Sequence, residues 1–371
     1  MSGAQDSGKR RRALSLAGIV TVLFLVIGAG LGFALFVGIY GLESIKQMVA
    51  PRQVTLVGMH IDDPEIGYVL NPNQSTVTTV GGRNVTIRTD AEGARIPVET
   101  SASAPPDAPP VLSVGGSQTL GWGVEQRETF SHLVAQALHR PARNFGIAGH
   151  GTVASLLQLE RHLDQQSSLV LYGFFSDHLN RNIRPCKNSG APYCTAMPFL
   201  PRTGDEPEIA FAMDPARSAR LGKAFSEQNA DQRGSDPRWD EARAEAEALL
   251  EKYLPEQGTA ELAEHKRSSA LFLFDRMMDV VDAHESHLVV IYIPDYLGTK
   301  DIEPMDAALR DALEKGGALV ADMAAPFQEA RDNDIPIAIE GDGHLTPEAH
   351  ALIAELVTSA VLSRGWNGND D

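Results

Sequence analysis

Two short stretches of this 371-residue chain hold residues suited to nucleophilic chemistry. One is Val114-Gly115-Gly116-Ser117-Gln118-Thr119-Leu120-Gly121, where a serine follows two glycines at the end of an apolar run. Glycines there let the backbone turn with no side chain in the way, which leaves the Ser117 hydroxyl exposed at a sheet edge. The other is Gly341-Asp342-Gly343-His344-Leu345-Thr346-Pro347-Glu348-Ala349-His350. Residues i and i+2 of extended backbone point the same way, so the Asp342 carboxylate can orient the His344 imidazole. A serine hydroxyl is a poor nucleophile until a base takes its proton, and His344 can take it. Between the two lies Asn144-Phe145-Gly146-Ile147-Ala148-Gly149-His150-Gly151-Thr152, a glycine-rich turn whose free N–H groups suit an oxyanion. Each stretch also has an ordinary use: a Gly-Gly-Ser turn, a tight strand-to-helix connection, and a helix-capping aspartate beside a solvated histidine. His344 and His350 match no familiar zinc spacing.

Strands must carry these turns. Residues 110–115 read as a short apolar strand, 169–175 and 288–293 as continuous apolar runs, and 318–320 as a further short strand. Unbroken apolar runs of this length suit strands buried on both faces of a parallel sheet. Helical spacing is found at 129–138, 237–253, 260–283, 305–313 and 346–362, the second opening on Ser235-Asp236-Pro237. Strands alternating with helices imply right-handed crossovers, hence an α/β fold: a doubly wound parallel sheet with helices on both faces. Ligands of such sheets bind at the carboxyl ends of the strands, where the stretches above fall.

Other parts read differently. Residues 46–104 form a small β-rich appendage, with strand patterns at 54–57, 75–80 and 84–88, and residues 101–110 are a linker by composition. A polar, irregular region at 179–235 is longer than a compact domain usually leaves unstructured. Cys186 and Cys194 are the only cysteines, eight apart, and in an oxidising compartment they close a small disulfide ring.

Composition bounds the rest. Hydrophobic residues make up 43% and charged ones 22%, which implies a buried core. A net charge of −17 with no basic stripe argues against nucleic acid as a partner. Residues 13–42 carry no charge and are long enough to cross hydrocarbon as one helix. A basic tail of residues 1–12 ends in Lys9-Arg10-Arg11-Arg12, which places the N-terminus in the cytoplasm and the large domain outside. Gly28 and Gly32 form a GxxxG pair through which two such helices can approach as a homodimer.

Taken together in this order, the turns at Ser117, Asn144 to Thr152 and Asp342 to His350 resemble the SGNH/GDSL hydrolases, in particular their membrane-anchored bacterial members. Those members also carry a β-rich segment first, here including Asp63-Pro64-Glu65-Ile66-Gly67-Tyr68 and Thr89-Asp90-Ala91-Glu92-Gly93-Ala94-Arg95. The resemblance covers most of residues 60–364, giving a hydrolase-like domain at 110–364, an unplaced insertion at about 185–265 and a tail at 365–371. It implies Ser117 as nucleophile, His344 as general base, Asp342 as the acid that orients it, the N–H groups of Ser117 and Gly149 as oxyanion donors, and no cofactor. The chain departs from the pattern in two places. Most relatives have aspartate where this chain has Gly116, and Gly173-Phe174-Phe175-Ser176-Asp177-His178 lacks the asparagine that gives a third oxyanion donor, leaving His178 or Asn182 as substitutes. The Asp342–His344 spacing is one residue shorter than in many relatives and is found in others. The resemblance implies an esterase or acyl-transfer enzyme on the periplasmic side of a bacterial inner membrane, acting on O-acyl groups of an envelope glycan, lipid or small ester. O-acetyl transfer to an exported polysaccharide is one form of this. A catalytically silent binding domain of an envelope assembly is the reading the departures favour.

Overall fold

The computed structural model describes residues 58–98, 108–164, 167–187, 194–202, 207–228, 236–254, 258–297 and 301–366. The helix expected at 13–42, the basic tail, the Gly28–Gly32 pair, the strand pattern at 54–57 and most of the 101–110 linker lie outside these residues. Among the described residues no helix is long and apolar enough to cross a membrane.

Twelve strands are described. β1 (His60–Asp63) and β2 (Gly67–Leu70) form an antiparallel hairpin. β3 (Ser75–Val80), β4 (Arg83–Thr89) and β5 (Arg95–Ile96) follow, then β6 (Val111–Gly115), β7 (Ala142–Asn144) and β8 (Leu169–Phe175). β9 (Cys186–Lys187) pairs with β10 (Thr195–Ala196), and β11 (His287–Ile293) and β12 (Leu319–Asp322) complete the set. The main sheet runs β12-β11-β8-β6-β7-β5-β4-β3. Its five members β7, β6, β8, β11 and β12 are parallel. The segment expected as an appendage is part of this sheet: β5 pairs antiparallel with β7 through Arg95 and Asn144, and β4 and β3 continue outward. The sheet is therefore mixed, where a parallel one was expected.

The helices are α1 (Ser117–Leu120), α2 (Phe130–Ala137), α3 (Thr152–His162), α4 (His178–Arg181), α5 (Pro215–Glu227), α6 (Arg238–Tyr253), α7 (Ala260–Ala283), α8 (Ala307–Lys315), α9 (Ala324–Asp332) and α10 (Pro347–Ser363). They cover both faces of the parallel strands. Leu169 and Leu171 of β8 join Val289 and Ile291 of β11 in a core with Phe130, Phe327 and Ile353 from α2, α9 and α10. Their alternates Val170, Tyr172 and Phe174 pack on the other face with Leu156, Phe274 and Leu309 from α3, α7 and α8. Each such side chain stabilises the fold by about 1.5–3 kcal/mol when fully buried. That is why β8 and β11 are apolar on both faces.

Arg95 ties the antiparallel strands to the centre. It is fully buried, and its guanidinium donates to the carbonyls of Leu120 and Gly121 at 2.6 and 2.7 Å and of Val124 at 2.6 Å. Burial pushes its pKa down to about 10, still charged at neutral pH. These carbonyls belong to the loop after Ser117, so Arg95 fixes where that turn ends. Arg95→Leu is expected to lower unfolding free energy by about 3 kcal/mol or more, because three buried acceptors lose their donor at once. Urea titration of the variant checks this.

Residues 179–235 are less irregular than expected, since most of α4, the β9–β10 hairpin and α5 lie within them. Asp214 caps α5, accepting from the Ala216 N–H at 3.0 Å, with Pro215 in the first turn. The Cys186–Cys194 disulfide closes the hairpin, with Cα atoms 5.4 Å apart, and is buried beside Met213 and Ala246. Closing so short a loop contributes about 2–3 kcal/mol. Peptide mapping without reductant is expected to recover the two cysteines as one linked species, and two free thiols in exported protein would contradict the bridge.

Candidate active site

The parallel strands follow the order second-first-third-fourth-fifth in the chain, with β6 first. The order of strand addition therefore reverses between β6 and β8, the topological switch point where open α/β sheets bind their ligands. Ser117 stands there, the first residue of α1, directly after β6.

Three glycines make this placement possible. A Cβ on Gly115, at φ +152°, would come within 2.1 Å of Thr119 Oγ1, and one on Gly173 within 2.0 Å of the same atom. A Cβ on Gly146 would meet the Leu120 nitrogen at 2.4 Å. The α1 turn thus lies directly on the ends of β6, β7 and β8, which only bare backbone allows. Gly116 and Gln118 are buried while Ser117 is partly exposed. The Ser117 N–H has no hydrogen-bond partner among the described residues.

His344 reaches the same edge by another route. It lies not directly after a strand but in the connection between α9 and α10, shaped by an isolated bridge of Ala338 with Leu345 and by the Ile339 N–H donating to the His344 carbonyl at 2.7 Å. His344 Nδ1 is 2.5 Å from Asp342 Oδ1, which also accepts the His344 N–H at 3.3 Å. The contact expected from extended backbone is thus made by a side-chain turn, with Gly343 at φ +89° in the left-handed region. With Nδ1 held by the carboxylate, Nε2 is the nitrogen left to act. Asp342 is not the helix cap; Thr346 is, accepting from the Ala349 N–H at 3.2 Å. The His344 ring lies 6.3 Å from that of Trp122, centroid to centroid.

A direct bond joins the serine turn to the histidine loop. Gln118 Oε1 accepts the Leu345 N–H at 3.1 Å, linking the residue after Ser117 to the residue after His344. The sequence reading missed Gln118, Trp122, Tyr296 and Lys187. Only Gln118, adjacent to the serine, carried a local signal.

On the opposite side, Gly149 has φ +92°, and its N–H has no partner among the described residues. A Cβ there would meet Lys187 Nζ at 2.2 Å and the Tyr68 hydroxyl at 2.6 Å. Tyr68 donates to the Ala148 carbonyl at 2.7 Å, and Lys187 sits 5.8 Å from its ring centroid. An ammonium therefore stands beside the Gly149 backbone.

The two candidate substitutes for the missing asparagine have other roles. Asn182 Oδ1 accepts the Thr152 N–H at 2.7 Å and its Nδ2 donates to Thr152 Oγ1 at 2.9 Å, so Asn182 caps α3. The Tyr172 hydroxyl donates to Thr152 Oγ1 at 2.8 Å and stands 3.0 Å from His178 Nδ1. With the phenol proton committed to Thr152, Nδ1 carries the imidazole proton and Nε2 is left as an acceptor. Burial and the nearby Arg181 charge hold His178 well below its ordinary pKa, hence neutral. A neutral acceptor nitrogen cannot stabilise an oxyanion.

His178 also accounts for Gly116. A Cβ at that position would lie 2.8 Å from His178 Nε2, 3.2 Å from the His150 carbonyl oxygen and 3.3 Å from Arg181 Nη1. The aspartate common at this place in relatives has no room here. Gly116→Asp is expected to lower the melting temperature by several degrees, as overpacking of about 1–3 kcal/mol would; differential scanning fluorimetry reads it.

His350 makes none of these contacts. It is buried, and its Nδ1 accepts the Phe130 N–H at 3.2 Å. Among the described residues no cluster of side chains is arranged to hold a metal.

A serine at the switch point of a parallel-centred α/β sheet, with an Asp-oriented histidine on a loop hydrogen-bonded to the residue after it, is a hydrolase-like arrangement. The solved structures to which the chain is similar include a member of the lipolytic protein G-D-S-L family from Veillonella parvula DSM 2008, at 10% identity and TM-score 0.32 over 69% of this chain and 98% of that one. Phospholipase A1 from Streptomyces albidoflavus NA297 is similar at 12% identity and TM-score 0.36, over 68% and 99%. A carbohydrate esterase family 2 enzyme with a carbohydrate binding domain, from Corynascus thermopiles (Myceliophthora fergusii), is similar at 13% and 0.31, over 77% and 72%. No family model and no curated protein matches the sequence. Likenesses this distant carry no functional weight, which falls instead on the residues of this chain.

Proposed function

We propose that this chain is a serine esterase or acyl-transfer enzyme in which Ser117 is the nucleophile, His344 the general base and Asp342 the residue that orients it. The observation that carries the reading is the Asp342–His344 bond on a loop hydrogen-bonded to the residue following Ser117. Ser117 Oγ attacks the ester carbonyl as His344 Nε2 takes its proton. The tetrahedral oxyanion is received by the N–H groups of Ser117 and Gly149, with the Lys187 charge beside them in place of a third donor. Collapse breaks the ester C–O bond, the proton on His344 passes to the departing alcohol, and an acyl-serine remains. Water then releases the acid, or a sugar hydroxyl takes the acyl group, with His344 again accepting the proton.

Location narrows the substrate. The uncharged 13–42 stretch behind four basic residues supports a single-pass inner-membrane anchor with the domain in the periplasm, facing O-acylated envelope glycans, lipids or small esters. A reporter active only in the periplasm, fused after residue 371, tests that topology. Incubating the full chain in detergent with a fluorophosphonate tests the chemistry: labelling is expected at Ser117 and at no other residue. The engagement of Asn182 with α3 and the acceptor face of His178 favour the second reading, a silent binding domain. An unlabelled Ser117 in folded protein would leave that reading standing alone.

A further inference from the structure

We infer that Gln118 and Tyr296 form a hydrogen-bonded clamp that sets the general base His344 in register with Ser117, making both positioning residues for the acyl chemistry. The inference rests on Ser117 and His344 being nucleophile and base.

Three bonds make up the clamp. The Tyr296 hydroxyl donates to the Gly343 carbonyl at 2.8 Å, Gln118 Nε2 donates to the Tyr296 oxygen at 2.9 Å, and Gln118 Oε1 accepts the Leu345 N–H at 3.1 Å. The residues held on the loop are the two neighbours of His344, one on each side. Gln118 and Tyr296 are 5% and 4% exposed, so water does not compete for these groups.

The circuit has only one arrangement. Leu345 N–H can only donate, so the Gln118 oxygen must face it and the amide NH2 must face Tyr296. The Tyr296 hydroxyl then accepts from the amide and spends its own proton on Gly343. Burial pushes the Tyr296 phenol up, so it keeps that proton at working pH. Its ring is steadied by Phe327 of α9 in an edge contact at 5.8 Å.

Other contacts of the histidine loop do a different job. The Ala338–Leu345 bridge and the Ile339 bond to the His344 carbonyl lie within the loop and keep its shape. The clamp reaches out of the loop, to the residue bonded to the nucleophile and to the segment after β11. It joins positions 178 and 227 residues apart in the chain. Catalytic groups misplaced by about 1 Å can lose 10²-fold in rate, so a link one residue from each partner has a direct claim on turnover.

The test uses the full chain in detergent, with fluorophosphonate titration to count active Ser117. Tyr296→Phe keeps the ring and deletes the hydroxyl, so kcat per titrated site is expected to fall about 10- to 100-fold with KM within about twofold. Gln118→Leu is expected to do the same, and the double variant to be no worse than either single one, because the residues act as a unit. Should Tyr296→Phe fail to fold, faster amide exchange at Leu345 in Gln118→Leu, which removes the Leu345 acceptor, reads the same link. A clamp of purely structural value would lower stability and leave kcat per titrated site unchanged. That outcome, or additive losses in the double variant, overturns the inference while wild-type labelling at Ser117 stands. Wild-type protein that is folded and unlabelled overturns both the inference and the reading beneath it.

Discussion

Ser117→Ala is expected to lower kcat/KM for a simple aryl ester by about 10⁴-fold or more while leaving the circular dichroism spectrum and melting temperature of the wild type. Removing the hydroxyl removes the covalent route altogether, and what remains is the modest catalysis of the oxyanion site and of binding. A 10⁴-fold loss corresponds to about 5.4 kcal/mol of transition-state stabilisation. The fold should not register the change, since the Ser117 side chain is partly exposed and its hydroxyl has no hydrogen-bond partner among the described residues. Asp342→Asn should cost about 10²–10⁴-fold for a different reason. The amide can accept from the His344 N–H, but it cannot hold Nδ1 as a charged acceptor or stabilise the imidazolium that forms. The two variants part in labelling experiments: Ser117→Ala gives none, and Asp342→Asn gives slow labelling at Ser117. An esterase signal that survives Ser117→Ala unchanged belongs to another residue, and the assignment falls with it.

The sequence discloses long, unbroken elements and local contacts, and conceals what is short or remote. The apolar run 169–175 is β8 residue for residue, and the pattern at 260–283 is α7, because seven and twenty-four residues give periodicity room to show. β5 and β7, two and three residues long, carry no period. For that reason the β-rich segment read as an appendage although it shares the main sheet. The helix expected at 305–313 is Ala307–Lys315, since Asp306 caps it, accepting from the N–H groups of Ala308 and Leu309. α9 escaped notice because Ala324, Phe327 and Ala330 give a weak apolar stripe interrupted by Pro326. At the site, the Asp342–His344 pair was legible because it is local, while the means of contact was not, since the turn depends on the φ of Gly343. The Gln118–Tyr296 bond spans 178 residues and leaves no trace in any window of sequence.

Stability is expected to collapse as pH falls from about 6.5 toward 4, because the core holds histidines that cannot be charged in place. Burial, helped by neighbouring positive charge, pushes the His150 and His350 pKa values down to about 3, and holds His178 well below its ordinary value. His60, largely buried, is pushed down to about 4 by burial and then by Lys187. In the unfolded chain each titrates near 6.5. Between that pH and the folded values the unfolded state therefore binds more protons than the native state, and unfolding free energy falls as pH falls. Each such histidine contributes a slope of about 1.4 kcal/mol per pH unit once its unfolded form is protonated. His150, His178 and His350, all fully buried, together give about 4 kcal/mol per unit near pH 5. Against a typical total of about 5–15 kcal/mol, one to three units below 6.5 remove about 4–12 kcal/mol, most of that range. Urea midpoints at pH 7.5, 6.0 and 5.0 should drop steeply over the last interval. His350→Gln tests the cause, since a neutral amide oxygen can still accept the Phe130 N–H. The variant should lose some stability at pH 7.5 and show a slope shallower by about one third. A midpoint that stays constant from pH 7.5 to 5.0 would mean that these imidazoles gain protons without unfolding the core, against the burial that surrounds them.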